Sequence, residues 1–188
     1  MKRASFAAAV IFTVLATGFA AEAKKANFQT VSIDSIREFD KKEILKKVPL
    51  DTDKFVFNTY FLEPRQLLAF HKHPVIDELF YFIEGRGQFT AGNDQVMVDS
   101  GSVVYGPANV DHGIVNSGKT QMVVISVQAP KPIKIIYAEN STITCTVCGQ
   151  EIIVKSNAKD GDIYICPRCG AKLKLSKTKD GKWTATQM

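Results

Sequence analysis

Between about residues 54 and 136 the chain alternates short apolar runs with turn residues. In order, the runs are KFVFNTYFL, QLLAFHKH, ELFYFIEG, GQFTAG, DQVMVDSG, SVVYGP, HGIVNSGK, MVVISVQAP and IKIIYA. Each has the length of a strand, is rich in β-branched or aromatic residues, and is bounded by residues that favour turns. Many short strands without a helix between them predict an antiparallel sandwich or a closed β-barrel.

One segment ahead of these strands has a helical pattern. In DSIREFDKKEILKKV, residues 34–48, Ser35 and Glu38 have the spacing of a capping box, and apolar residues recur at roughly helical intervals. We therefore expect one peripheral N-terminal helix beside an all-β domain.

The first 23 residues have the order of a secretory signal peptide. Lys2 and Arg3 precede an uncharged run that ends in Ala21-Glu22-Ala23, an A-x-A cleavage site. A retained membrane anchor is the alternative, since the run barely reaches the length that spans a bilayer. Cleavage near Ala23 predicts a periplasmic or secreted protein with no stable membrane insertion.

The charge of the chain gives little indication of a macromolecular partner. Removal of residues 1–23 takes away two bases and one acid, which lowers the formal net charge from +5 to +4. This mild excess is compatible with an anionic ligand, and we expect no nucleic-acid partner.

All three histidines of the chain lie in two strand-like segments. His71 and His73 share one face of a strand, and Glu78 opens the next strand, while His112 follows a turn at Gly106-Pro107. Four such groups in apolar surroundings are hard to bury unless they are paired or bound to a metal, and separately satisfied core histidines are the alternative. Imidazole with one carboxylate suits Fe, Mn, Ni, Cu or Zn.

The two segments resemble the two motifs of the cupin superfamily, G-(x)5-H-x-H-(x)3-4-E-(x)6-G and G-(x)5-P-x-G-(x)2-H-(x)3-N. The residues in register are His71, His73, Glu78 and Gly85 in the first motif, and Gly101, Pro107, His112 and Asn116 in the second. Arg65 and Asn109 depart from the pattern, because each stands at a glycine position. Asn tolerates positive φ better than most residues, so we expect the turn at Asn109 to survive.

The resemblance covers about residues 54–136 and implies a cupin-type antiparallel jelly roll. It also implies a divalent transition metal in the barrel mouth, held by His71, His73, Glu78 and His112, with open coordination positions for a small molecule. Sites of this kind serve dioxygenases, isomerases and lyases as well as proteins that only bind or sense a ligand. We expect an exported metal-dependent cupin enzyme, with a periplasmic metal- or ligand-binding protein as the alternative. Barrels of this family commonly pair through their sheets, so a homodimer is also expected.

A few side chains beyond the ligands are candidates for the pocket. Tyr60 and Tyr105 could line it or could be ordinary core residues, and Phe80 and Phe82 could form an apolar wall or plain barrel core. No residue other than a metal ligand is assigned a role in the chemistry.

The four cysteines form a separate pattern near the C-terminus. Cys145 and Cys148 make one C-x-x-C pair, Cys166 and Cys169 make a second, and glycine follows each pair. The intervening EIIVKSNAKDGDIYI predicts a hairpin that turns at Asp160-Gly161. The module resembles a zinc ribbon and also the two knuckles of rubredoxin. Zinc is the expected metal, and a rubredoxin-like iron or a pair of disulfides are the alternatives.

A boundary between the two parts is predicted near Glu139, where Pro130 and Pro132 interrupt the strands and a polar stretch follows. The predicted organisation is a signal peptide at 1–23, a cupin barrel at 24–139 and a four-cysteine module at 140–188.

Overall fold

The structure, a computed structural model, describes residues 28–139 and 141–188. The predicted signal peptide at 1–23 lies outside these residues. Within them, no helix is both long and apolar enough to cross a membrane.

Ten strands form two five-stranded antiparallel sheets. They are β1 (Leu45–Asp51), β2 (Val56–Leu62), β3 (Leu67–Lys72), β4 (Asp77–Glu84), β5 (Arg86–Ala91), β6 (Asp94–Asp99), β7 (Val103–Gly106), β8 (His112–Val115), β9 (Met122–Ala129) and β10 (Ile136–Tyr137). One sheet has the order β1-β2-β9-β4-β7 and the other has the order β10-β3-β8-β5-β6. The predicted antiparallel jelly roll is confirmed.

The inner faces of the two sheets form one apolar core. Its buried members are Tyr60, Leu62, Leu68, Phe80, Phe82, Phe89, Val98, Ile114, Met122 and Val124. Because alternate residues of a strand share a face, β4 presents Phe82, Phe80 and Glu78 to the interior in turn. The next inward positions of β9 after Val124 are the buried Ser126 and Gln128. One end of the barrel is therefore filled with hydrocarbon, and the other end carries polar side chains.

The predicted peripheral helix is wrong. The structure has only a 3-10 turn at Asp34–Ile36, and β1 occupies the C-terminal part of the segment. The Ser35 hydroxyl donates to the Ser32 carbonyl, and Glu38 forms an ion pair with Lys47. Pairing of β1 with β2 satisfies the backbone here, with a register shift at Val48-Pro49, where proline cannot donate a hydrogen bond. Tertiary pairing thus overrides the local helical pattern.

Five short strands build the C-terminal module. They are β11 (Thr142–Thr144), β12 (Glu151–Ile153), β13 (Ile163–Ile165), β14 (Lys172–Lys177) and β15 (Trp183–Gln187). The predicted zinc-ribbon-like module is present, but the hairpin predicted between the two cysteine pairs is wrong. β12 pairs with β11, and β13 pairs with β14, so each C-x-x-C sequence forms the turn of its own hairpin.

Glycine makes these cysteine turns possible. The Gly149 N–H donates to the Cys145 carbonyl at 2.8 Å, and the Gly170 N–H donates to the Cys166 carbonyl at 2.9 Å. Both glycines have positive φ, +71° and +75°, which other L-residues rarely adopt. Gly161, at φ +89°, still reverses the chain where the sequence predicts a turn, although β12 and β13 do not pair across it.

The module packs directly on the outer face of the barrel. Ile153 of β12 is fully buried in a cluster with Phe70 and Val115. A Cβ atom at Gly113 of β8 would lie 2.9 Å from the Leu68 carbonyl oxygen and 2.8 Å from the Ile153 Cδ1 atom, so glycine leaves room for this contact. Side-chain amides add hydrogen bonds, from Gln150 to the Arg65 carbonyl and from Gln95 to the Ile153 carbonyl. The boundary near Glu139 stays a prediction.

Candidate metal centres

The barrel brings together the four predicted metal ligands, His71, His73, Glu78 and His112. His71 on β3 lies opposite His112 on β8 in the strand register, and His73 follows the end of β3. Glu78 reaches the same point from β4 in the facing sheet. All four residues are at most 3% exposed, and their ligand atoms lie within 4.8 Å of one another.

The backbone fixes which nitrogen of each imidazole faces the centre. The Nδ1 atoms hydrogen-bond to carbonyl oxygens: His71 to Ala69 at 2.6 Å, His73 to Lys134 at 2.7 Å and His112 to Val110 at 2.9 Å. A carbonyl oxygen only accepts, so each Nδ1 carries the hydrogen. Each Nε2 is therefore left with a lone pair, and this arrangement is typical of histidines that bind a metal.

The Glu78 carboxylate completes the set of donors. Its Oε2 atom lies 2.9 Å from Nε2 of His73, 3.2 Å from that of His112 and 3.8 Å from that of His71. Burial opposes ionisation, but the contacts with His112, His71 and His73 outweigh it and hold the pKa of Glu78 well below its usual range. The same contact with Glu78 raises the pKa of His73 against the effect of burial.

This donor set fits a bound cation. Adjacent ligands of an octahedral transition metal are about 3 Å apart when the bonds are about 2.1 Å long. The distances of 2.9 and 3.2 Å from Glu78 to His73 and His112 are close to this value. The second carboxylate oxygen of Glu78, Oε1, is buried without a hydrogen-bond partner. A buried, unpaired carboxylate oxygen is costly unless a positive group compensates it.

Sequence reasoning missed several residues at the site. The Gln128 amide nitrogen lies 3.1 Å from Nε2 of His73, and the Tyr137 ring centroid lies 5.8 Å from that of His71. The exposed Lys46 also lies near the site, with its Nζ atom 5.7 Å from the centroid of the Tyr60 ring. The polar residues Ser126 and Gln128, which alternate with apolar ones in the β9 sequence, were a usable signal for Gln128. Because a helix was expected at 34–48, the place of Lys46 on a strand opposite Tyr60 was not predicted.

The four candidate pocket residues occupy different positions, and not all of them lie at the site. Tyr60 is buried near Glu78, and burial raises its pKa well above the usual range. Tyr105 is 56% exposed on the outer face of β7, where a hydrogen bond with Asp77 raises its pKa, so it does not line the site. The Phe80 ring meets His112 edge-on, with centroids 5.6 Å apart, whereas Phe82 lies deeper in the core.

The two residues that replace glycine in the cupin motifs both adopt the positive φ that is typical of glycine. Arg65 has φ +80° and Asn109 has φ +61°, and no other residue apart from glycine has positive φ in the described chain. The expectation that the turn survives at Asn109 is confirmed, because its N–H donates to the His73 carbonyl at 2.6 Å. This bond links the turn of the second motif to a histidine of the first.

The four cysteines converge in the same way in the C-terminal module. The Sγ atoms of Cys145 and Cys169 are 3.8 Å apart, and those of Cys148 and Cys166 are 3.7 Å apart. These distances match the edge of a tetrahedron with metal–sulfur bonds of about 2.3 Å, about 3.8 Å. They are far longer than a disulfide bond, and all four thiols are free.

The thiols differ in how readily they ionise. A hydrogen bond from the Ala171 backbone lowers the pKa of the exposed Cys169 to about 7. Burial raises the pKa of Cys166 to about 12 and also raises that of Cys148. A metal ion would favour the thiolate form of all four, since thiolates are the ligands that zinc and iron bind.

Comparisons with known proteins agree with both parts of the structure. Residues 59–128 match the cupin domain family, and residues 143–180 match the family described as alpha-aminoadipate carrier protein LysW-like, globular domain. An uncharacterized protein of Methanocaldococcus jannaschii is 33% identical over 60 residues, which are 32% of this chain and 48% of that protein. The chain thus spans about half the length of this curated relative.

Solved structures share the barrel. A conserved protein with a double-stranded β-helix domain from Klebsiella pneumoniae is 26% identical, with a TM-score of 0.57 over 60% of this chain and 98% of that one. An RmlC-like cupin protein from Desulfovibrio desulfuricans is 21% identical, with a TM-score of 0.50 over 55% and 97% of the two chains. Residues 59–128 therefore match the cupin domain family and share its barrel fold, and a zinc-ribbon-like four-cysteine module follows them.

Proposed function

We propose that this protein is an exported, metal-dependent cupin enzyme that acts on a small organic molecule, as a dioxygenase, isomerase or lyase. The observation that carries the proposal is the buried set of His71, His73, Glu78 and His112, in which every Nε2 atom faces the centre and one carboxylate oxygen has no hydrogen-bond partner. A divalent Fe, Mn, Ni, Cu or Zn ion held by four protein ligands would supply a Lewis acid or an oxygen-activating centre with open positions.

The chain's own residues orient the ligands and shield them. The backbone carbonyls hold the imidazoles in one tautomer. The His112 ring packs against both Phe80 and Phe89, whose ring centroids are 5.6 and 6.2 Å away. These apolar rings exclude water from the side of the ligands that faces the barrel core. A substrate would enter from the polar end, where Tyr60 and Gln128 offer hydrogen-bonding groups.

A second candidate is a periplasmic protein that binds or senses a metal or small ligand without turnover. One observation favours it. Of the two tyrosines considered as pocket residues, Tyr105 faces solvent, and burial keeps Tyr60 protonated, so neither is a ready acid–base group. Chemistry at such a site would depend on the metal and its ligands alone.

The four-cysteine module is proposed to bind zinc, with a rubredoxin-like iron as the alternative. The tetrahedral spacing of the sulfurs and the LysW-like match support a metal, and both metals accept four thiolates. Elemental analysis with a visible spectrum separates them, since ferric thiolate absorbs strongly in the visible and zinc does not absorb there.

Replacement of the carboxylate ligand tests the cupin site. We expect Glu78→Gln to lower the metal content by about one ion per chain while the far-UV circular dichroism stays unchanged. Asp77→Asn is the matched control, because Asp77 is the neighbouring carboxylate and is exposed. Equal metal content in both variants would contradict the site. Turnover of a small-molecule substrate by the metal-loaded wild type would favour the enzyme over the binding protein.

Export is proposed from the signal-like residues 1–23. The mature protein from a periplasmic or culture-medium fraction should begin near Lys24. A chain that keeps its first residues and remains in the membrane fraction would instead support the retained anchor.

A homodimer is proposed through the sheet that contains β4 and β7. Leu79 and Tyr81 of β4 and Val103 and Tyr105 of β7 form an exposed apolar face. β7 is also an edge strand of its sheet. Apolar faces beside a free strand edge are typical of surfaces that pair with another chain.

A further inference from the structure

Lys46 is a solvent-exposed cation on the face of β1 that continues the inner side of the sheet. It lies on β1 directly opposite Tyr60 of β2 in the strand register, and paired residues of antiparallel strands project to the same side. Tyr60 is a buried core residue, so this side is the interior. The Lys46 Nζ atom lies over the Tyr60 ring, 5.7 Å from its centroid.

The ammonium of Lys46 has no carboxylate partner. In residues 28–139 and 141–188, no acidic oxygen lies within 4.0 Å of its Nζ atom, whereas the adjacent Lys47 is paired with Glu38. Partial desolvation lowers the pKa of Lys46, and the Glu78 charge opposes this shift. The ammonium therefore lies within electrostatic reach of the metal ligands without pairing with them.

Polar side chains with spare hydrogen-bonding capacity surround the same end of the barrel. Asn58 is fully buried and donates from Nδ2 to the Ser126 hydroxyl at 3.1 Å, but its Oδ1 atom has no partner. Gln128 is also buried and lies against His73. An unpartnered buried amide oxygen is costly, and a ligand that donates a hydrogen bond would satisfy it.

We propose that Lys46 recognises the charge of the ligand, and that the cupin site takes a small organic carboxylate that also carries a hydrogen-bond donor such as a hydroxyl group. The inference rests on the proposed metal site. A divalent ion with Glu78 leaves one positive charge, and Lys46 adds a second. A carboxylate compensates one of these two charges, whereas a neutral molecule of the same shape compensates neither.

Calorimetric titration of the metal-loaded full-length protein tests the inference, with glycolate as the anionic probe and glycolamide as its neutral analogue. We expect Lys46→Met to weaken glycolate binding about tenfold or more, as loss of a charge-assisted hydrogen bond predicts. Lys46→Arg should stay within about threefold of the wild type, because it keeps the charge. Glycolamide should bind the wild type and Lys46→Met with similar affinity.

Lys47→Met is the matched control, since it removes the neighbouring lysine, which is paired with Glu38. It should leave glycolate affinity unchanged. Metal content is measured in each variant before titration. A wild type without metal would refute the proposed function. A metal-loaded wild type that binds glycolate no more tightly than glycolamide, or a Lys46→Met variant with wild-type glycolate affinity, would overturn the role of Lys46.

Discussion

Arg65 and Asn109 hold backbone conformations that side chains usually avoid. Positive φ brings Cβ close to the backbone and costs an ordinary L-residue roughly 1–2 kcal/mol, although Asn is affected less. Both turns persist because the surrounding structure holds them. The Arg65 N–H donates to the Asn116 carbonyl at 2.9 Å, and the Asn109 N–H donates to that of His73.

Arg65→Gly should therefore stabilise the protein. We expect the free energy of unfolding to rise by about 1 kcal/mol, because glycine removes the strain at φ +80°, partly offset by its greater freedom in the unfolded chain. Urea unfolding measures the change. Arg86→Gly in β5 is the control and should destabilise by about 0.5–1 kcal/mol, since it weakens an ordinary strand position. A loss of stability in both variants would show that φ at Arg65 is not strained.

The metal ligands could be predicted from the sequence because the spacing of the motifs places them. His71 and His73 alternate on one strand, and Glu78 and His112 each open a strand that returns to the same end of the barrel. Lys46 and Gln128 could not be predicted in the same way. Their place at the site depends on which strands become neighbours, here β1, β2, β9 and β4, and this order is not encoded locally.

At the scale of elements, the sequence indicates strands better than it indicates their partners. The residues 151–165 do contain two strands and a glycine turn, but each strand pairs across a cysteine turn instead of with the other. The turn at a C-x-x-C-G sequence brings two thiols together only when the flanking strands pair with each other. Metal binding and strand pairing are thus specified by the same few residues.

The contact of β12 with the barrel is expected to contribute strongly to stability. Ile153→Ala should lower the free energy of unfolding by about 2–4 kcal/mol, because it leaves a cavity between Phe70, Val115 and Gly113. Ile163→Ala is the control, since Ile163 is 49% exposed, and it should change stability by about 0.5 kcal/mol or less. Denaturant unfolding followed by circular dichroism gives both values. Equal effects would mean that β12 does not anchor the module.

At the scale of the whole molecule, the exposed sheet face predicts self-association. Val103→Glu places a charge in the apolar face on β7 and should convert the expected dimer to a monomer in sedimentation velocity experiments. Val96→Glu is the control, because Val96 is similarly exposed, 51% against 61% for Val103, but lies on β6 of the other sheet. A wild-type protein that sediments as a monomer at micromolar concentration would contradict the proposed dimer.

The hydrogen bond from His73 to the Lys134 carbonyl has a consequence for how the protein can be divided. Lys134 and Tyr137 lie on the segment that leads from the barrel to the cysteine module, and β10 of this segment pairs with β3 beside His71. A shortened chain that stops at the end of β9 would keep the four ligands of the cupin site but lose the Lys134 carbonyl that orients His73. The segment that connects the barrel to the cysteine module therefore also forms part of the barrel's metal site. A displacement of the module would move the groups that orient and flank the histidines.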